Sequence, residues 1–260
     1  MSADPTIEIL GVPIARLTIQ AALQRLVRLH AETGPSLVAY ANAHTLNLAS
    51  RDPGYREVLR SAAIVLNDGS GVGIAARLWG RPFPANLNGT DLNPLILGLA
   101  ADEGWPVYLL GARPGVAGVA AQKLTERFPS LEVVGTHSGY FAAAEETDVV
   151  AEIRASGAEL LMVALGNPLQ ETWLARHLEA TGVRVGIGVG AFFDFTAGSL
   201  SRAPSWMNRW GIEWVWRLAQ EPGRMWRRYV LGNPAFLARV VRERIRSRGR
   251  RPAPPSTPSE

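Results

Sequence analysis

The strongest constraint on this chain is an alternation of short apolar runs of strand length with stretches of helical spacing. SLVAYAN (36–42), AAIVLN (62–67), PVYLLG (106–111), LEVVG (131–135), ELLMVALG (159–166) and VRVGIGVG (183–190) read as buried strands. Residues 18–32, 53–61, 70–79, 91–103, 114–128, 145–156 and 168–180 carry apolar side chains at helical intervals. Strands that are apolar on both faces need covering on both faces. The fold expected is therefore α/β and Rossmann-like, a mostly parallel sheet with helices on either side. Helix starts are expected at Asp91, ahead of LNPLILGLAA, and at Pro114 and Pro168, where a missing N–H is tolerated. In such a sheet ligands lie outside the carboxyl ends of the strands, so the polar loops after each strand are where chemistry is expected.

The pattern changes at Arg202. RAPSWMNRWGIEWVWRLAQEPGRMWRRYVLGNPAFLARVVRERIRSRGR is helical in spacing, with breaks expected at Gly211, Pro222 and Gly232-Asn233-Pro234, and contains no strand candidate. This divides the chain into an α/β core (1–201), a helical appendage (202–248) and a tail (249–260) too polar and proline-rich to pack. Residues 1–201 hold 14 basic and 19 acidic side chains, whereas residues 202–260 hold 13 arginines and four acids. Five of the eight tryptophans, Trp206, Trp210, Trp214, Trp216 and Trp226, lie in the appendage. A cationic, tryptophan-rich surface suits an anionic interface such as a phospholipid headgroup layer. A nucleic acid, with Arg on phosphates and Trp stacked on bases, is the competing partner.

The chain has no cysteine, which removes disulfides, thiolate zinc sites and cysteine nucleophiles together. The amino terminus MSADPTIEIL lacks the basic-then-apolar pattern of a secretory signal, and no run reaches the roughly 18 apolar residues of a spanning helix. A cytoplasmic protein that lies on a membrane rather than across it is expected. His30, His44, His137 and His177 show no metal-ligand spacing.

Several polar residues stand where strands end. In IVLNDGSGVG (64–73) an apolar run closes on Asn67 and Asp68 and three glycines follow. Asp68 there is either the cap of the next helix or a base beside a backbone that Gly69, Gly71 and Gly73 leave open to a substrate. GARPGVAG (111–118) departs from the G-x-G-x-x-G fingerprint, and no acidic residue ends the following strand, which weakens a dinucleotide-dependent oxidoreductase reading. A turn whose helix amides face a phosphate remains alongside a purely structural turn. GNPLQETW (166–173) sets Gln170 and Glu171 in the first turn of a helix, where they either complement the helix dipole or read a polar ligand. GAFFDFTAG (190–198) places Asp194 between aromatics after the last strand. Without Asp-x-Asp, a bound diphosphate would need arginine, and Arg217, Arg224 and Arg228 fall on one side of a continuous helix.

Taken together, NAHTLNLA, LNDGSGVG, LNGTDL, GNPLQETW, GVGAFFDFTAG and the Arg/Trp-rich segment resemble the WecG/TagA/CpsF family of bacterial glycosyltransferases (glycosyltransferase family 26), in order and from about Thr6 to Arg246. The resemblance implies an inverting, metal-independent transferase that moves a sugar from a UDP-sugar to a polyprenyl-diphosphate-linked saccharide in cell-surface polysaccharide synthesis. It implies that no cofactor is needed and that the enzyme is attached peripherally to the inner face of the plasma membrane. By the same resemblance Asp68 is the base; Asn42, Asn67, Gly69, Asn86, Gly89, Asp91, Gly111, Gly166, Gln170, Glu171 and Asp194 bind substrate; and Arg217, Arg224, Arg227 and Arg228 bind a diphosphate or the lipid acceptor. The appendage is then expected to complete the active site. Two positions depart from the family pattern: Tyr40 stands where some members have Thr, and Asn86 where they have Arg. Both bear on the donor sugar, and self-association of the chain is left open.

Overall fold

Two residues turn the chain before the main sheet begins. Strands β1 (Thr6–Ile9) and β2 (Val12–Ala15) form an antiparallel hairpin. Leu10 (φ 51°) and Gly11 (φ 79°) between them both occupy the left-handed region, as the tight turns that match strand twist require. The strand expectations above contain no such hairpin, because leucine at the first turn position lacks the Asn-Gly or Asp-Gly signal. The structure is a computed structural model and describes residues 4–201, 203, 204, 207 and 213–249, the side chains of 213, 224 and 247–249 excepted.

The six expected strands all form one parallel sheet: β3 (Ser36–Ala41), β4 (Ile64–Asn67), β5 (Val107–Gly111), β6 (Val133–His137), β7 (Leu160–Ala164) and β8 (Val185–Gly188), in the order β4-β3-β8-β7-β5-β6. Alternate side chains leave its two faces and feed two apolar clusters. One contains Ala39, Val65, Leu110 and Val163 and is covered by α2 (Ala43–Ala49), α3 (Pro53–Ser61), α4 (Ser70–Leu78), α7 (Glu146–Ser156) and α8 (Leu169–Thr181). The other contains Val38, Leu66, Leu109 and Ile187 under α1 (Ile19–Ala31), α5 (Gly89–Glu103), α6 (Val116–Arg127) and α9 (Phe192–Ala197). The Rossmann-like α/β expectation holds.

Helix starts differ in detail. Asp91 is not the cap of α5: Asn88 is, accepting from the Asp91 N–H at 3.0 Å, and Asp91 sits inside the first turn. α6 starts at Val116 rather than at Pro114, and Pro168 is the residue before α8. The short helices α2 and α9 were not foreseen. Their six or seven residues span too few turns to show a period.

Past the core, α10 (Glu213–Gln220) and α11 (Pro222–Trp226) meet at the expected break before Pro222, while Gly211 lies outside the described residues. No break follows at Gly232-Asn233-Pro234. The chain passes from α11 through a π-helical turn (Arg227–Leu231) directly into α12 (Gly232–Gly249). Pro234 falls in the first turn of α12, directly after the π-helical turn, and the helix continues through it. α12 completes the core rather than standing off it: Phe236 and Val240 are each 0% exposed and share a cluster with Ala43, Leu46, Val72 and Ala76 of α2 and α4. Asn47 of α2 fixes this docking, donating to the Gly232 carbonyl at 2.8 Å and accepting from Arg239. The middle and end of α10 are tied back by Trp216 and Gln220, both hydrogen-bonded to Ser201. The tail beyond residue 249 lies outside the described residues.

Candidate active site

Neighbouring strands end side by side, and that adjacency builds the site. Asn42 closes β3 and Asp68 closes β4, and the Asp68 N–H continues the ladder to the Ala41 carbonyl at 2.9 Å. Asn42 caps α2: its Oδ1 accepts from the N–H groups of His44 and Thr45 at 3.0 and 3.1 Å, and from the Thr45 hydroxyl. With its oxygen so engaged, the amide is oriented, and Nδ2 donates to Asp68 Oδ2 at 3.1 Å. Asp68 is therefore placed by a neighbouring strand. It stands ahead of α4, whose capping position is Gly69 (φ 84°), so it is not itself the helix cap. The Gly69 N–H donates to Asn86 Oδ1 at 3.1 Å, which ties this corner to the loop before α5.

Asp68 is half-buried, and its carboxyl pKa is raised above the ordinary value. Burial is the main cause, and Asp91 adds to it; the Asn42 hydrogen bond and the positive charges of Arg228 and Arg217 oppose it. A carboxyl moved toward neutrality is a stronger base than an ordinary aspartate. Two of the arginines expected at a diphosphate thus bear electrostatically on Asp68. Arg217, on α10, lies over the Phe195 ring at 4.9 Å and pairs with Glu221 at 3.7 Å. Arg227 is exposed and lies over the ring of its own neighbour Trp226 at 5.4 Å. The Arg224 side chain lies outside what the structure describes.

A second polar group gathers at the ends of β7 and β8. Gln170 is 2% exposed, and its Oε1 accepts from the N–H groups of Gly166 at 3.2 Å and Gly190 at 3.1 Å. Its Nε2 donates to Glu171 Oε1 at 2.7 Å. Glu171, 0% exposed, also accepts from Asn167 Nδ2 at 2.7 Å and from the Tyr55 hydroxyl at 3.0 Å. The GNPLQE segment is thus a buried crosslink that fixes two rim loops to each other and to α3. A β-carbon on Gly188 would stand 2.7 Å from Gln170 Nε2, so glycine in β8 makes room for the crosslink. Glu171 is raised in pKa by burial against these donors, not placed at an exposed helix end.

Other expected positions fall elsewhere. Gly111 ends β5, where a β-carbon would lie 2.6 Å from the backbone of Ala164, so strand packing accounts for its lack of a side chain. Asp91, exposed, accepts from Asn88 Nδ2 at 2.9 Å. Asn67 is 2% exposed and donates to the Ala85 carbonyl at 2.9 Å. Asp194 is partly buried in α9 beyond β8. The residue missed by sequence is Asn93, 0% exposed, which accepts from the Tyr40 hydroxyl at 2.7 Å. Its signal was an amide at an apolar phase of α5, between Leu92 and Ile96.

Among the described residues no group of three His, Asp or Glu side chains converges as a metal site, and no helix is long and apolar enough to cross a membrane. Comparison with known proteins matches residues 7–250 to the Glycosyl transferase WecG/TagA/CpsF family. An N-acetylglucosaminyldiphosphoundecaprenol N-acetyl-beta-D-mannosaminyltransferase of Bacillus spizizenii is 33% identical over 194 residues, 75% of this chain and 74% of the relative. The protein of the same description in Bacillus subtilis is 31% identical over 208 residues, 80% of each chain.

Proposed function

Because this chain belongs to the WecG/TagA/CpsF glycosyltransferase family, we propose that it transfers an N-acetylhexosamine from a UDP-sugar to a polyprenyl-diphosphate-linked N-acetylglucosamine in cell-envelope polysaccharide synthesis. The observation that carries this reading is Asp68: a carboxylate at the carboxyl end of the sheet, oriented by Asn42, with its pKa raised by burial. The relatives' descriptions support the acceptor class. Membership in a transferase family sets aside the nucleic-acid-binding and oxidoreductase alternatives.

In this mechanism the acceptor hydroxyl attacks the anomeric carbon of the donor while the bond from that carbon to the UDP oxygen breaks. Asp68 takes the hydroxyl proton as the new C–O bond forms, and UDP leaves with the bonding electron pair. Attack opposite the leaving group inverts the anomeric centre. The charge gathering on the diphosphate needs fixed positive groups, and Arg217 and Arg228, which already act on Asp68, supply them without a metal. Gln170 and Glu171 act by holding the rim in shape. Peripheral attachment to an anionic membrane face is supported by Trp226, Val230, Leu231, Val241 and Ile245, all at least 43% exposed, interleaved with Arg227, Arg242 and Arg246.

Asp68→Asn keeps the size and the Asn42 contact and removes the basicity. Transfer between a UDP-N-acetylhexosamine and the lipid-diphosphate acceptor is expected to fall by about 10²–10⁴-fold, the usual range for general base catalysis. Donor-induced thermal stabilisation should persist. Near-wild-type turnover in this variant would exclude Asp68 as the base.

A further inference from the structure

One wall of the site holds a hydrogen-bond donor that the fold leaves unused. Tyr40 and Asn42 are two apart on extended backbone, as are Leu66 and Asp68 on the neighbouring strand, so Tyr40, Asn42 and Asp68 leave the sheet on the same side. α5 covers that side, and Asn93 reaches from it to accept the Tyr40 hydroxyl at 2.7 Å. The bond uses Asn93 Oδ1. Its Nδ2 is buried and has no hydrogen-bond partner. An unpaired buried amide N–H is costly, and a bound acceptor removes that cost. Tyr40 pairs with Leu66, two residues before Asp68, which places the pair beside the base; burial chiefly, and the Asp68 carboxylate in addition, raise the Tyr40 phenol.

Gly89, half-exposed at the start of α5, stands over this amide. A β-carbon there would lie 3.3 Å from Asn93 Nδ2 and 3.5 Å from the Tyr40 ring. Glycine thus leaves the donor without a side-chain lid at that position, although its backbone φ needs no glycine.

We propose that Asn93 is a specificity-determining residue whose Nδ2 donates to the acetamido carbonyl oxygen of the transferred sugar. The inference rests on the glycosyl-transfer reading given above and deepens it. The carbon that bears the 2-substituent is bonded to the anomeric carbon, so a residue beside the base is placed to read that substituent. A 2-hydroxyl oxygen ends one bond from the ring, whereas an acetamido carbonyl oxygen ends three bonds out. Only the longer group reaches a donor set back in the wall under Gly89. Tyr40 positions the amide by occupying its oxygen, which leaves the nitrogen as the end presented. A site built around a hydrogen bond discriminates strongly against a ligand that cannot make it, because the buried group is then left unpaired.

The test compares kcat/KM for a UDP-N-acetylhexosamine with that for the UDP-hexose of the same configuration. The double variant Tyr40→Phe, Asn93→Leu replaces both ends of the internal hydrogen bond together, so no partner is stranded and the fold is retained. Its preference for the acetamido donor should fall at least tenfold, with the loss concentrated on that donor. Gly89→Ala, which sets a methyl against the amide and the Tyr40 ring while leaving Tyr40 and Asn93 unsubstituted, should shift the ratio in the same direction. An unchanged ratio in both variants, with only melting temperature or overall rate affected, would make Asn93 a packing residue and overturn the proposal. Failure of the wild-type protein to transfer from any UDP-sugar would instead overturn the glycosyl-transfer reading, and with it this one.

Discussion

At the scale of a single residue, burial of the Glu171 carboxyl ties stability to pH. Its place in the first turn of a helix suggests surface electrostatics, yet it is fully buried against Tyr55, Asn167 and Gln170. Two of its donors, Asn167 and Gln170, lie within four residues of it in the sequence, but nothing there marks the third, Tyr55, which comes from a helix 116 residues away. Burial raises its pKa, so the folded protein holds the proton more tightly than the unfolded chain. Stability contributed by that proton is full below the ordinary carboxylate range, about pH 4, and declines as pH rises through the raised value. Glu171→Gln removes the titration. Its melting temperature relative to wild type should therefore climb between about pH 4 and 8; a difference that stays flat across a calorimetric pH series would sink the assignment. Glu171→Ala strands the Tyr55 hydroxyl and both amides and should cost about 1–3 kcal/mol for each group left unpaired. Asp68 is the opposite case: its position at a strand end was visible in the sequence, while the Asn42 clamp that orients it was not.

Among the elements, legibility follows length and periodicity. Six apolar runs gave six parallel strands, because a strand buried on both faces leaves a continuous signature. The β1–β2 hairpin and the helices α2 and α9 escaped, being short and lacking, in the hairpin, the usual turn residues. The spacing of the C-terminal segment predicts helix but does not say which partner α12 finds. Phe236 answers that, buried between α2 and α4. Phe236→Ala should lower unfolding free energy by about 3–5 kcal/mol in urea titrations, the range for deleting a buried aromatic. A change under about 1 kcal/mol, typical of a surface position, would mean that α12 is not part of the core.

For the molecule as a whole, the division into core and appendage needs a physical qualification. Residues 202–260 hold the positive charge and most of the tryptophan, yet they also supply α12, which seals the face formed by Ala43, Leu46, Val72 and Ala76. Arg217 and Arg228 come from the same segment and act on Asp68. Truncation after Ser201 should therefore abolish transfer and broaden or abolish cooperative unfolding together, as read by assay and calorimetry. A soluble, sharply melting truncate would show that the core stands without α12. Composition and charge mark this segment as different from the rest of the chain; they do not show that its last helix packs into the core.

The strand order carries a consequence for how such a chain is made. β8 lies between β3 and β7, so β3 with β4 and β5 with β6 and β7 are two separate half-sheets until β8 joins them. A ribosome releases the chain from its amino end, and Gly188, the last residue of β8, is nearly three-quarters of the way along. Through most of synthesis the edges of β3 and β7, later the centre of the sheet, face outward with unpaired backbone groups, the condition under which nascent chains associate wrongly. The strand that brings the Gly190 loop against Gln170 is thus also the one whose arrival ends that exposure.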